Sequence, residues 1–151
     1  MSALPLWTWE APQSLLGLAL YGWLRARDRV QGVQRRPDGR RLVQTERWAI
    51  SLGAFVFWAR VGIDGRPLDP TLIQAHELGH TFQSRRLGPL YLLTVGIASP
   101  ARALYAMGYY RRTGRAWPHY FDAWPEDEAD RLGGIVRDAA GRRVLAPSTK
   151  E

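Results

Sequence analysis

Residues 69–89 read DPTLIQAHELGHTFQSRRLGP, and the rest of the chain is interpreted from them. The segment carries His76-Glu77-Leu78-Gly79-His80, an HExxH pattern. On a helix, positions i and i+4 share a face, so both imidazoles can converge on one ion. Zn²⁺ suits such nitrogen ligands, and Glu77 lies where it can take a proton from zinc-bound water. The flanks predict a helix independently. Asp69 can cap the N-terminus and Pro70 fits the first helical position. Arg85 and Arg86 suit the negative end of the dipole, and Gly88-Pro89 signals the stop.

Composition narrows the chemistry. A length of 151 residues predicts one domain with a real core. With 46% hydrophobic and 23% charged residues the chain is not disordered in character. There is no cysteine, so disulfides and thiolate metal sites are excluded, and any metal must be held by histidine and carboxylate. The chain has three histidines, two of them in the motif. The net charge of +7 with seven tryptophans and six tyrosines points to an anionic membrane surface as a partner. No nucleic-acid motif appears and the arginines form no long run, so nucleic acid is not favoured. No basic n-region precedes Glu10, which argues against a cleaved signal peptide. The expected location is cytoplasmic, with membrane contact at the cytoplasmic face.

Outward from the motif, residues 12–24 read as an apolar or amphipathic helix followed by Arg25, Arg27 and Arg29. It is too short to span a bilayer, which takes about 20 residues. Pro37-Asp38-Gly39 marks a turn. Residues 42–50 and 54–61, rich in Val, Ile, Phe and Trp, predict two strands of a hairpin with residues 51–53 as turn or bulge. Such a hairpin can wall a cleft and offer an edge to an extended substrate. Asp64-Gly65-Arg66-Pro67 predicts another turn. Residues 87–108 form the most apolar stretch. Pro89, Gly96, Pro100 and Arg102 interrupt it, which predicts two short helices broken near Ser99-Pro100. These can be core helices or a hairpin dipping into a membrane. Residues 109–118 read as a basic, aromatic connection. Residues 125–132 predict a short acidic helix ended by Gly133-Gly134. The tail from Ile135, with a Gly141-Arg142 turn, is expected to fray.

Two histidines do not complete a catalytic zinc site, which keeps three protein ligands and an open position. The downstream candidates are His119, Asp122, Glu126, Asp127, Glu128 and Asp130. Glu126 and Asp130 are four apart, so one can bind the ion while the other orients an imidazole through its far nitrogen. Glu126 is the expected ligand and Asp130 the supporting carboxylate. His119 is the rival ligand. It can instead donate a hydrogen bond to the developing oxyanion, a role Tyr120 shares. Gln83, three residues after His80, reaches the same face. Gly79 allows another backbone to approach.

His76-Glu77-x-x-His80 followed by Glu126-x-x-x-Asp130 resembles the gluzincin arrangement of zinc metallopeptidases. That resemblance implies zinc held by His76, His80 and Glu126, with Glu77 as general base and Asp130 bracing a histidine. HELGHTFQSRRLGPLYL and PEDEADRLGG also resemble a group of bacterial proteins of unknown function with a metallopeptidase-like core, over residues 51–134. The interval between His80 and Glu126 is longer than in compact gluzincins, because the apolar segment intervenes. The expected architecture is an α+β, small zincin-like domain: a short β-hairpin, the HExxH helix, an apolar helical pair and a second site helix. The expected organisation is an N-terminal apolar helix and basic linker (1–34), a metallopeptidase-like domain (35–134) and a C-terminal tail (135–151). The expected function is zinc-dependent hydrolysis of peptide bonds in a peptide or protein substrate, with Glu77 and His119 catalytic. The alternative is a non-catalytic zinc-binding or membrane-associated interaction module.

Overall fold

A computed structural model describes residues 4–62 and 65–147. The chain is an α+β domain. Two N-terminal helices, α1 (Leu4–Trp7) and α2 (Ala11–Arg25), precede strands β1 (Gly32–Arg35), β2 (Arg41–Thr45), β3 (Ile50–Leu52) and β4 (Phe55–Ala59). The motif helix α3 (Pro70–Leu87) leads through a 3₁₀ turn (Gly88–Tyr91) into α4 (Val95–Thr113). A short helix α5 (Glu126–Leu132) and a hairpin of β5 (Ile135–Arg137) and β6 (Arg143–Leu145) follow.

The first four strands form one mixed sheet in the order β1-β2-β4-β3. Central β4, FVFWA, is buried throughout, as a strand covered on both faces must be. Its residues alternate between two layers. Phe55 and Phe57 join Val43, Leu52, Leu24 and the flank of α2, while Val56 and Trp58 join Leu42 and contact Ile73 and Leu78 of α3. Full burial of each phenylalanine contributes about 2–3 kcal/mol. The sheet is therefore the filling between α2 and α3, and it holds the motif helix by its apolar flank.

Several expectations change here. The hairpin is formed by β3 and β4 around Gly53, whereas β2 pairs with β4 in parallel. The stretch 42–50 is thus two strands separated by a bend, and β3 is a sheet edge. β1, on the far edge, pairs antiparallel with β2 across the Pro37-Asp38-Gly39 turn. A boundary at residue 34/35 would cut this strand. The N-terminal helices are not a separate segment either. Glu10 is fully buried and receives two hydrogen bonds from Arg40, at 3.0 and 3.2 Å, and one from the Ser84 hydroxyl at the end of α3. Gln13 donates to Ser84 and to the Gly88 carbonyl, each at 3.0 Å.

The apolar stretch does not break at Pro100. The chain bends by 114° between the 3₁₀ turn and α4, and α4 then runs through Pro100. Pro100 lies inside the helix, in its second turn, and cannot donate to the Gly96 carbonyl. The tail folds as well, because β5 and β6 pair from Ile135 to Leu145. Of the turn at Asp64, the first residue lies outside the described residues. Beyond it the Gly65 amide donates to the Gly62 carbonyl and Val61 bridges Pro67.

Candidate metal centre

The ends of α3 form as the sequence requires. Asp69 Oδ1 accepts from the amides of Thr71 (2.8 Å) and Leu72 (3.3 Å), and Gly88 ends the helix with φ of 53°. His76 and His80 lie one turn apart and are buried, their ring centroids 4.8 Å apart and nearly perpendicular. What completes the group is the close crossing of α5. A Cβ on Gly79 would overlap the Ala129 carbonyl, and one on Gly133 would overlap the Ala75 carbonyl. Only glycine at these two positions lets the helices touch backbone to backbone.

At that distance Glu126 and Asp130 straddle His76. Its Nδ1 lies 2.7 Å from Asp130 Oδ1, and its Nε2 lies 3.0 Å from Glu126 Oε2. His80 Nε2 lies 3.5 Å from the same Glu126 oxygen. His80 Nδ1 lies 2.7 Å from Gln83 Oε1, and the Gln83 amide donates to the Pro125 carbonyl and to Glu128, each at 2.9 Å. Each imidazole therefore has an acceptor facing Nδ1, which fixes the neutral tautomer with its proton there.

Both Nε2 lone pairs then point at a carboxylate oxygen. Ligand atoms of His76, His80 and Glu126 lie within 4.8 Å of one another. Three electron-pair donors converging in a buried space repel unless a cation or a proton lies among them. Glu126 Oε1 is also buried and has no partner. The trio can hold a metal ion, and this donor set fits one. With no ion, a proton serves instead. Burial alone would lower the His76 pKa, but hydrogen bonds to Asp130 and Glu126 outweigh it and raise it to about 9. Burial raises Glu126 too, yet hydrogen bonds from His76 and His80 hold it far below the usual carboxylate range.

Glu77 is buried on the same helix. Ser51 Oγ, on edge strand β3, bridges the Glu77 carbonyl (2.6 Å) and Oε2 (2.9 Å). Burial pushes the Glu77 pKa up, and the two imidazoles and Ser51 offset part of the rise. These groups open onto a cavity of about 240 Å³ whose walls include Ile50 and Ser51 of β3, Tyr91, Val95 and Ala103, and Tyr120. Burial first, then Glu126 and Glu77, hold the Tyr120 pKa far above 10, with Arg102 and Ser99 offsetting part of the rise.

His119 is not brought to this centre. Its side chain is 70% exposed, and Nδ1 sits 2.8 Å from Asp122. The cause is Arg102, whose guanidinium takes the carbonyls of both His119 and Tyr120 at 2.6–3.1 Å. With the turn so held, Tyr120 faces the cavity and His119 faces outward. The rival three-histidine site is thereby removed, and of these two residues Tyr120 is the one that lines the cavity. Asp122 pairs with Arg137 as well, and Glu128 meets Gln83, Trp124 and Arg86.

Three neighbours of the centre carry no sequence signal. Ser51 is one. Arg143, from β6, grips Asp130 with Nε to Oδ2 at 2.7 Å and a terminal nitrogen to Oδ1 at 2.5 Å. Phe121 lies between them, its ring 5.3 Å from that of His76 and 3.4 Å beneath the Arg143 guanidinium. The chain matches no protein-family model, no curated protein and no solved structure.

Proposed function

We propose that this protein is a zinc-dependent metallopeptidase whose site is His76, His80, Glu126 and Glu77. The observation that carries the reading is the position of Glu77. A buried carboxyl with a raised pKa stands beside a three-donor metal set, at the floor of a cavity walled by a sheet edge. A nitrogen-rich set without thiolate suits Zn²⁺. A divalent ion held there supplies polarisation of a peptide carbonyl and of a water.

The chain's own groups do the rest. A peptide entering the cavity lies against Ile50 and Ser51 of β3 on one wall and Tyr120 among the others. Glu77 takes a proton from the attacking water as its oxygen bonds to the carbonyl carbon. It then delivers that proton to the departing nitrogen as the C–N bond breaks. A raised pKa suits both halves of this exchange. Tyr120, held protonated, donates to the oxygen on which charge develops. Asp130 and Gln83 keep the two imidazoles oriented.

The test begins with metal content per chain, in protein purified without added metal, for wild type, His80→Ala and Glu126→Ala. About one zinc in wild type and none in either variant is expected. Glu77→Gln should retain zinc while losing cleavage of a peptide library by roughly 100-fold or more. Full cleavage by Glu77→Gln would remove Glu77 from the chemistry. A fully stable wild type without metal would favour a second reading, supported by the ion pairs of His76 with Glu126 and Asp130. In that reading the trio is a proton-bridged structural knot in a non-catalytic module.

A further inference from the structure

Helix α4 buries Val95 but turns an apolar stripe outward. Half-buried Arg102, near its middle, holds two carbonyls of the following segment and stacks over Trp117 at 4.8 Å. On the outward stripe Ile97 is 61% exposed and Leu104 63%, seven residues apart. Leu93, in the bend before the helix, is 68% exposed. The flank of α2 continues this surface. Leu20 lines the site cavity together with α4, and Leu16 and Trp23, one turn to either side of it, are exposed. Trp23 lies beneath the guanidinium groups of Arg27 (4.6 Å) and Arg29 (5.9 Å).

Charge identifies what covers these residues. Between Glu77 and Asp122 the chain has no carboxylate and six arginines, and between Glu10 and Asp28 it has no carboxylate and two. The stripe of α4 runs directly into exposed Arg111 and Arg112. A second copy of the chain would set these cations against each other. A layer of anionic headgroups over acyl chains complements both the cations and the apolar stripe. No single helix among the described residues is long and apolar enough to cross a membrane. We infer that α4, the bend before it and the adjoining flank of α2 dock the protein on an anionic phospholipid bilayer. Because the inner flank of α4 walls the metal-site cavity, docking places that cavity beside the lipid interface.

The experiment is flotation with vesicles of equimolar phosphatidylglycerol and phosphatidylcholine, against vesicles of phosphatidylcholine alone. Wild type should float with the anionic vesicles and bind the neutral ones far more weakly. Ile97→Glu with Leu104→Glu should weaken binding roughly tenfold or more, with zinc content and helicity unchanged. Arg111→Gln and Arg112→Gln should each cost about fivefold on anionic vesicles only. Should the double variant unfold, the single Leu93→Gln, outside regular helix, carries the same expectation. His80→Ala, which strikes the metal site, should float like wild type, so failure of the peptidase reading leaves this one standing. Wild type that binds neither vesicle, or both equally with no effect of the variants, overturns the inference. So does a solution dimer that Ile97→Glu dissolves.

Discussion

Replacing Arg143 by alanine leaves every candidate metal ligand in place and removes the group that holds their support. The guanidinium makes two charge-assisted hydrogen bonds to Asp130, of 2.7 and 2.5 Å, and Asp130 in turn stands 2.7 Å from His76 Nδ1. Both side chains are largely shielded, at 17% and 10% exposure, so water screens the pair only in part. Loss of the fork frees the Asp130 carboxylate to rotate and weakens its hold on the imidazole. Phe121, wedged between Arg143 and His76, loses its cation as well. Groups that orient a metal ligand through its far nitrogen contribute about 10–100-fold in affinity, which is about 1.4–2.7 kcal/mol. Chelator competition for Zn²⁺ reads this directly. Arg143→Ala should weaken binding within that range, and Arg143→Lys, a point charge without a fork, should fall between it and wild type. In an Asp130→Asn background Arg143→Ala should cost little more, because the two act as one unit. Wild-type affinity in Arg143→Ala, or full additivity with Asp130→Asn, would refute the coupling.

Gly79→Ala should destabilise the fold by about 3 kcal/mol or more and abolish metal retention, measured by urea unfolding and metal content, because the new methyl overlaps the Ala129 carbonyl. Glu10→Ala should cost about 3 kcal/mol in the same unfolding measurement, since it takes from buried Arg40 its hydrogen-bonded carboxylate and leaves only Asp38, at 3.5 Å, to balance the charge. Metal-free protein should lose stability as pH rises: a His76 pKa raised from 6.5 to about 9 stabilises fully below 6.5, and that contribution, on the order of a few kcal/mol, is gone by pH 9. The depressed Glu126 acts oppositely, stabilising above the ordinary glutamate range and failing as acid protonates it, so metal-free stability should peak between the two. Zinc-loaded protein should lack the alkaline loss, and unfolding at graded pH with and without chelator checks both arms.

What was legible in the sequence was local. Asp69, Pro70 and the HExxH spacing act within one helix, and Glu126 with Asp130 within another, so periodicity exposes them. The crossing of those helices was half visible, because Gly79 stood out as a gap in a helical face. Pairing partners were less accessible. The strand β1, GVQR, is mostly exposed and carries no alternation. The run FVFWA is apolar at every position, which is the mark of a central strand with two neighbours; its hairpin partner β3 is adjacent in sequence and legible, whereas the parallel neighbour β2 is not. The choice between His119 and Tyr120 could not be read from adjacent residues at all. It is made by Arg102, 17 residues upstream, and no local pattern connects them. Ser51 and Arg143 reach the centre in the same way, through tertiary packing across 26 and 13 residues.

The hairpin that carries Arg143 gives the centre a direction in time. During synthesis the two imidazoles leave the ribosome first, and Glu126 follows 50 residues after His76. Arg143 comes last. At about 5–20 residues per second, several seconds separate His80 from Arg143. Throughout that interval a nascent chain exposes an unbraced pair of histidines, able to bind an ion loosely and to release it. On the proposed reading, firm retention would begin only when the hairpin of β5 and β6 closes over Asp130, so loading of the ion would follow synthesis of that hairpin.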